Sequence, residues 1–244
     1  MRHRLDLLLV SRGLASSRER ARALVLAGQV RVNGSAAVKA GTAVDESAEV
    51  TVLTPDHPYV GRGGLKLAHA LVSFGIDVHG RTALDIGAST GGFTDVLLQR
   101  GARHVVALDV GHGQLDWGLR NDPRVTVREH VNARFLTPAD LPGPFDVIAI
   151  DVSFISLAHI LPVVPPLVVP GGDVVVLVKP QFEAGRHEVG RGGIVRDPAV
   201  HARVVEQVRV AARAVGLRAV ADTPSPVTGA GGNVEFLLHL RSQA

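Results

Sequence analysis

The 244-residue chain contains no cysteine. That absence removes disulfide scaffolds, thiolate zinc sites, iron–sulfur clusters and any Cys nucleophile, and it fits a cytoplasmic protein. Aromatic residues are scarce as well, at 4%, so Val, Ala and Leu must build the core. Long apolar runs are missing. Near the N-terminus only Leu7, Leu8, Leu9 and Val10 are contiguous before Ser11 and Arg12, too short for a signal-peptide core. The most apolar stretch, 161–178, is broken by Pro162, Pro165, Pro166, Pro170, Gly171, Gly172 and Asp173. A spanning helix needs about 20 mostly apolar residues, so no membrane partner is expected.

What is present is enough apolar material for a folded interior: 46% hydrophobic residues against 20% charged. At roughly 100–200 residues per domain, the length suits one large domain or a medium one with a small appendage. The net charge is +3, but it is unevenly spread. Residues 1–39 hold eight basic residues and only two acids, Asp6 and Glu19. A basic lobe on a nearly neutral body points to polyanions, with a merely solvated face as the alternative.

Within that lobe, Leu5, Leu8 and Leu9 fall on one helix face over 4–11, and Gly13 sits where a C-terminal cap belongs. Ser16 or Ser17 can cap a second helix over 18–27, ended by Gly28. The segment 29–32 and the segment 35–39 flank Asn33-Gly34, a strong hairpin signal, and 49–53 reads as a further strand. Two short basic helices followed by a hairpin resemble the α-L RNA-binding domain. The likeness rests on Arg4-Leu5-Asp6, on Ser17-Arg18-Glu19-Arg20-Ala21-Arg22 and on the run from Gly28 to Gly34. It implies that Arg4, Arg18, Arg20, Arg22 and Arg31 hold RNA phosphates, largely without reading sequence. The expected division is an RNA-binding domain over 1–54, a linker over 55–64 rich in Pro and Gly, and a large domain over 65–244.

From Leu65 onward, helical and strand-like segments alternate. Helices are expected at 66–74, 93–100 and 197–215, and strands at 82–86, 104–109, 125–129, 145–151, 173–179, 218–222 and 233–240. This pattern predicts an α/β fold with a mostly parallel sheet whose faces are covered. Ligands of such sheets bind beyond the carboxyl ends of the strands. Four apolar strands end there in charge: Asp85, Asp109, Asp151 and Lys179. The 85–93 turn, Asp-Ile-Gly-Ala-Ser-Thr-Gly-Gly-Phe, follows the first of them. Gly87 and Gly91 permit close backbone approach to a ligand, and Asp109 can accept bonds from ribose hydroxyls. A dinucleotide dehydrogenase shares that logic. The form of the turn instead resembles the S-adenosylmethionine loop of class I methyltransferases. That likeness places Asp85, Gly87, Ser89, Gly91, Gly92, Phe93, Asp109, Asn132 and Asp151 at the cofactor. A Rossmann-like sheet with an antiparallel last strand is then expected.

The methyl acceptor can be narrowed by elimination. Carbon-5 methylation of pyrimidines generally uses a Cys nucleophile, which is lacking. Methylation of exocyclic amines commonly uses Asp/Asn-Pro-Pro-Tyr/Phe after the fourth strand, where this chain has Asp151-Val152-Ser153-Phe154. A hydroxyl acceptor needs alignment and proton management. Lys66, Asp151, Lys179 and Glu235 can form a Lys-Asp-Lys-Glu tetrad at one ligand edge, provided the last strand runs antiparallel. Two unrelated surface ion pairs are the alternative. No metal site is expected. Residues 185–196 carry Arg186 and Arg191 among glycines and suit an RNA-contacting flap, or else an exposed connection.

Taken in order, the basic module, Gly61-Arg62-Gly63-Gly64-Leu65-Lys66-Leu67, the 85–93 turn, the run 109–115, Asp151-Val152-Ser153-Phe154-Ile155-Ser156, Val178-Lys179-Pro180-Gln181-Phe182-Glu183 and Gly232-Asn233-Val234-Glu235 resemble the TlyA-type ribosomal RNA 2′-O-methyltransferases. Members of that family are often labelled haemolysins, and its catalytic half resembles FtsJ-like ribose methyltransferases. The resemblance implies methyl transfer from S-adenosylmethionine to a cytidine ribose 2′-hydroxyl in large-subunit ribosomal RNA, with small-subunit RNA a further target of some members. It implies the tetrad as catalytic and ribosomal RNA or ribosomal subunits as partner. The sequence leaves the oligomeric state open, with a monomer expected. Two departures stand out. His57-Pro58-Tyr59-Val60 replaces the Arg and Trp familiar between the domains, and the chain has the extent of the shorter subtype associated with large-subunit modification. Competing readings are a non-catalytic RNA-binding ribosome-assembly factor, a pore-forming haemolysin and a small-molecule O-methyltransferase.

Overall fold

A computed structural model describes residues 2–15, 17–26, 28–37, 39–53 and 57–243. Ser16, Ala27, Val38, and Thr54 to Asp56 at the junction of the expected first domain and linker, lie outside the described residues. The chain divides into two compact units after Pro58.

In the first unit, strand β1 (Arg2–Arg4) leads into helix α1 (Leu5–Ser11), followed by α2 (Arg18–Leu26). Ser17 caps α2, its hydroxyl accepting from the Arg20 amide at 3.1 Å. Strands β2 (Val30–Val32) and β3 (Ser35–Ala36) form the expected hairpin. Asn33 and Gly34 both take positive φ, 49° and 77°, as the tight primed turn requires. β5 (Val50–Val52) pairs with β2, while β4 (Ala43–Asp45) pairs antiparallel with β1. Leu5, Leu8, Leu9, Leu24, Val25 and Val30 close the small core. The pairing of β1 with β4 had no forecast in the sequence, because three-residue strands carry too little periodicity to read.

The second unit is built on a seven-stranded sheet. Its elements are α3 (Gly63–Phe74), β6 (Thr82–Ile86), α4 (Gly92–Gln99), β7 (His104–Leu108), α5 (Trp117–Arg120), β8 (Val125–Arg128), β9 (Phe145–Ile150), β10 (Val168–Val178), α6 (Pro180–Glu183), α7 (Pro198–Ala214), β11 (Leu217–Pro224) and β12 (Phe236–Ser242). The spatial order is β11-β12-β10-β9-β6-β7-β8. β8, β7, β6, β9 and β10 run parallel, and β12 is antiparallel to both neighbours. This is the class I methyltransferase arrangement expected above.

Alternation along the strands feeds two interiors. Leu84, Ile86, Val106, Leu108, Ile148 and Ile150 pack on one face, beneath Val200, Val204 and Val208 of α7. Ala83, Val105, Ala107, Val147 and Ala149 pack on the other, against Leu67, Leu71, Val96 and Leu97 of α3 and α4. Period-two side-chain direction makes this division automatic. Asp197 caps α7 by accepting from the Ala199 amide at 2.8 Å, with Pro198 in the first turn, as its sequence signals.

Three expectations are corrected. Gly63 and Gly64 open α3 instead of belonging to a linker. A Cβ at Gly64 would lie 2.4 Å from Cγ of Tyr59, so the glycine is there to admit that ring. β10 extends back to Val168 through Pro170-Gly171-Gly172, with a shift of register before Asp173. β12 begins at Phe236, so Glu235 stands just before the strand. The Ser225 amide donates to the Glu235 carbonyl at 2.8 Å and closes the connection there. Among the described residues, no helix is long and apolar enough to cross a membrane.

Candidate active site

The strand order reverses between β6 and β9, and ligands of open sheets bind at such a switch point. Register brings the chemistry to that edge. Ile86 pairs with both Leu108 and Ile150, so Gly87, Asp109 and Asp151 each follow their strands at the same level. Val178 pairs with Phe236, which sets Lys179 across from Glu235.

Lys66 Nζ lies 2.5 Å from Glu235 Oε2, and Lys179 Nζ lies 2.5 Å from Asp151 Oδ1. Lys179 also donates to Ser153 Oγ at 2.9 Å. Lys66, Lys179 and Glu235 are all buried. A Cβ at Gly229 would fall 2.0 Å from Glu235 Oε1, so bare backbone covers that carboxylate. Lys66 and Asp151 share the wall of a cavity of about 190 Å³, together with Arg62, Gly87, Ser89, Thr90, Gly92 and Phe93. A larger cavity of about 460 Å³ shares Gly87, Ser89 and Asp151 with the first. It runs past Asp109 and Gln114 to Val131, Asn132 and Ala133, with Leu108, Val110, Val152 and Ile155 as apolar wall.

Asp109 is held by two backbone donors, the Ser89 amide at 2.8 Å and the Gly111 amide at 2.7 Å. Each oxygen keeps a second lone pair. Ser89 itself has φ 47° and turns its hydroxyl to Gln114 Oε1 at 3.2 Å. The Asn132 side chain accepts from the Arg134 amide at 3.1 Å. A polar end with diol acceptors, an apolar slot and an anionic mouth fit S-adenosylmethionine.

Two expected cofactor contacts are placed elsewhere. Asp85 is wholly buried and lines neither cavity. Its Oδ2 accepts from the Thr94 amide at 2.9 Å and the Thr94 hydroxyl at 2.7 Å, pinning the first turn of α4. Burial is the main cause pushing its carboxyl up, to about 7, against the opposing Thr94 bonds. Gly91, with φ 97°, also lines neither cavity; a Cβ there would strike Leu119 at 2.3 Å. The positive φ favours glycine there, and the Leu115 and Leu119 side chains pack close against it. Arg62, Thr90, Gln114, Ser153 and Phe154 line the cavities without having been singled out. All five lie inside the runs that carry the family likeness. Phe154 gave no linear signal of its unusual geometry: φ 64°, an exposed ring and a 5.0 Å contact with the Phe182 ring.

In the first unit, Arg4, Arg18 and Arg22 converge on one buried carboxylate, Asp6. Arg20 contacts His57 Nε2 at 2.9 Å, and Arg31 donates to the Gly34 carbonyl at 3.0 Å. Arg186 and Arg191 are exposed. Asn233 holds the segment around Arg191, donating to the Gly193 carbonyl and accepting from the Val195 amide.

With this geometry in view, the likeness to known proteins is decisive. The FtsJ-like methyltransferase family matches residues 59–242, and the S4 domain matches residues 3–50. The 16S/23S rRNA (cytidine-2′-O)-methyltransferase TlyA of Mycobacterium tuberculosis is 52% identical over 243 residues, covering 99% of this chain and 91% of the relative. The chain belongs to the TlyA family of FtsJ-like methyltransferases. Hemolysin A of Brachyspira hyodysenteriae is 42% identical across 97% of this chain and 98% of its own. A solved Streptococcus thermophilus structure, with hemolysin as its provisional name, superposes with a TM-score of 0.79 at 46% identity, covering 99% of this chain and 89% of that one. The protein is therefore a methyltransferase whose front unit is an S4 domain.

Proposed function

We propose that the protein methylates the 2′-hydroxyl of a cytidine ribose in ribosomal RNA, in the large subunit first, with small-subunit RNA as a second substrate to be tested. The observation that carries this reading is the two buried lysine–carboxylate contacts, Lys66–Glu235 and Lys179–Asp151, with Lys66 and Asp151 on the wall of one cavity. S-adenosylmethionine, bound in the larger cavity, would supply an electrophilic methyl group. Asp109 and Asn132 would hold its ribose and adenine ends, and Gly87, Ser89 and Asp151 its amino-acid end.

Transfer to a hydroxyl requires the oxygen to be aimed and its proton to be taken or directed. Lys179 would take or direct the proton, with Asp151 and Ser153 fixing its amine. Lys66, held by Glu235 and beside Arg62, is placed to orient the ribose or its phosphate. The arginines of the S4 unit and the exposed Arg186 and Arg191 would grip phosphates without reading bases. The names of the relatives support ribosomal RNA as substrate, and with it a cytoplasmic location. A monomer is the simplest working state.

The test is a labelled-methyl assay on unmodified ribosomal subunits and free ribosomal RNA, followed by mass spectrometry of the product. One ribose methyl on cytidine is expected. Lys179→Ala should abolish transfer while S-adenosylmethionine still binds. No transfer by the wild-type protein would leave the assembly-factor reading; full turnover by Lys179→Ala would remove Lys179 from the chemistry.

A further inference from the structure

We infer that Asp6 is a positioning residue that gathers Arg4, Arg18 and Arg22 into one preformed phosphate cradle on the S4 unit; this rests on the RNA-substrate reading. Asp6 is completely buried, while the three arginine side chains remain 45%, 43% and 49% exposed. Their contacts are directional. Arg4 grips the carboxylate with two nitrogens, Nε to Oδ1 at 3.0 Å and Nη2 to Oδ2 at 2.9 Å. Arg18 and Arg22 reach Oδ2 through Nε alone, at 3.1 and 3.4 Å. Neither makes another side-chain bond among the described residues, so their terminal NH2 groups are not consumed by the protein.

The backbone fixes the acid at the centre of this fan. The Asp6 amide donates to the Ala40 carbonyl at 2.9 Å, and Asp6 Oδ1 accepts from the Leu7 amide at 3.0 Å. Gly41 leaves room for Arg4; a Cβ there would lie 3.1 Å from both terminal nitrogens. Three guanidiniums this close repel one another. A single buried anion offsets that repulsion, orients each fork and still leaves the cluster at +2. Hydrogen bonds from Arg4, then Arg18, hold the Asp6 carboxyl far below the usual carboxylate range against its desolvation, so the anchor stays charged. Planar forks oriented in advance suit a tetrahedral phosphate better than free arginines do, because less side-chain entropy is lost on binding.

The assay exploits a conflict of signs. Asp6→Asn makes the unit more positive, so simple electrostatics predicts tighter RNA binding and a steeper salt dependence. Positioning predicts the reverse: affinity for large-subunit ribosomal RNA about tenfold weaker at moderate salt, and a log K against log salt slope shallower by about one contact. Binding by Asp6→Asn as tight as wild type or tighter, with the slope kept, overturns the inference. Arg18→Lys, which keeps the charge and loses the fork, covers the case in which Asp6→Asn does not fold. It should weaken binding about as much as Arg18→Ala, and wild-type affinity for it overturns the inference. Failure of the wild-type protein to bind ribosomal RNA would instead strike the function reading, and this inference with it.

Discussion

Glu183 holds Ser156: its Oε2 accepts the Ser156 hydroxyl at 2.6 Å while its Oε1 accepts the Leu157 amide at 2.7 Å. The loop after β9, which carries Asp151 and Ser153, is thereby tied to the helix after β10, which begins beside Lys179. The Phe154–Phe182 ring contact crosses between the same two segments. Displacement by about 1 Å away from the chemistry can cost about 100-fold in rate. Glu183→Ala should lower kcat roughly 10- to 100-fold while RNA and S-adenosylmethionine binding stay near wild type. Steady-state kinetics with parallel binding assays would check it.

The Lys66–Glu235 pair predicts strong non-additivity. Removing one partner leaves a buried charge without its counterion, a costly state. Glu235→Ala and Lys66→Ala should each reduce methylation by at least about 100-fold, and the double variant should be little worse than either single one, since the pair acts as a unit. Independent losses that multiply in the double variant would contradict the assignment.

Asp85 gives a pH signature of stability. Its folded carboxyl is raised to about 7 from an ordinary 3.8, so between those values the native state binds more protons than the unfolded chain. Stability from this group is fully present below the unfolded value and declines as pH rises toward 7, at about 1 kcal/mol per pH unit. Asp85→Asn keeps the shape and an acceptor for Thr94 and removes the titration. Melting curves from pH 4 to 8 should show a flatter profile for the variant, with its relative stability greatest at the alkaline end.

Asp173 behaves with the opposite sign. Burial pushes its carboxyl up, but bonds from His239 at 2.8 Å, Arg81 at 2.9 Å and Arg241 at 3.1 Å overcome that and hold it at about 2. Its contribution is present above about pH 4 and is lost as pH falls through about 2. Both arginines are more than a third exposed, so solvent screening limits their share. Asp173→Asn should lower stability at neutral pH by about 2 kcal/mol, and the gap from wild type should close in acid denaturation below pH 2–3.

Much of this architecture is legible before folding. The long apolar strands ending in Asp85, Asp109, Asp151 and Lys179 mark a parallel sheet and its ligand edge, because strands buried on both faces leave few other readings. Asn33-Gly34 and Asp197-Pro198 each encode a local geometry and fold as written. Tertiary demands hide the rest. The sequence cannot distinguish a glycine needed by a ligand from one needed by a neighbour, so Gly91 reads as cofactor loop with no sign of the Leu119 side chain packed against it. Asp85 reads as a ligand contact because its strand position is right, yet its hydrogen-bond partner is Thr94, in the first turn of α4. The positioning contacts of Glu183 and Asp6 are hidden for a related reason, since each acts on residues that folding alone makes its neighbours.

At Gly87 the chain crosses Asp151 with no space for one more carbon: a Cβ would stand 2.2 Å from the Asp151 carbonyl oxygen. Donor and acceptor walls are thus two sides of one junction. Laboratory evolution of donor preference at that turn would disturb Asp151 and its contact with Lys179 in the same stroke, and productive variants should need compensating changes in both strand-end segments together.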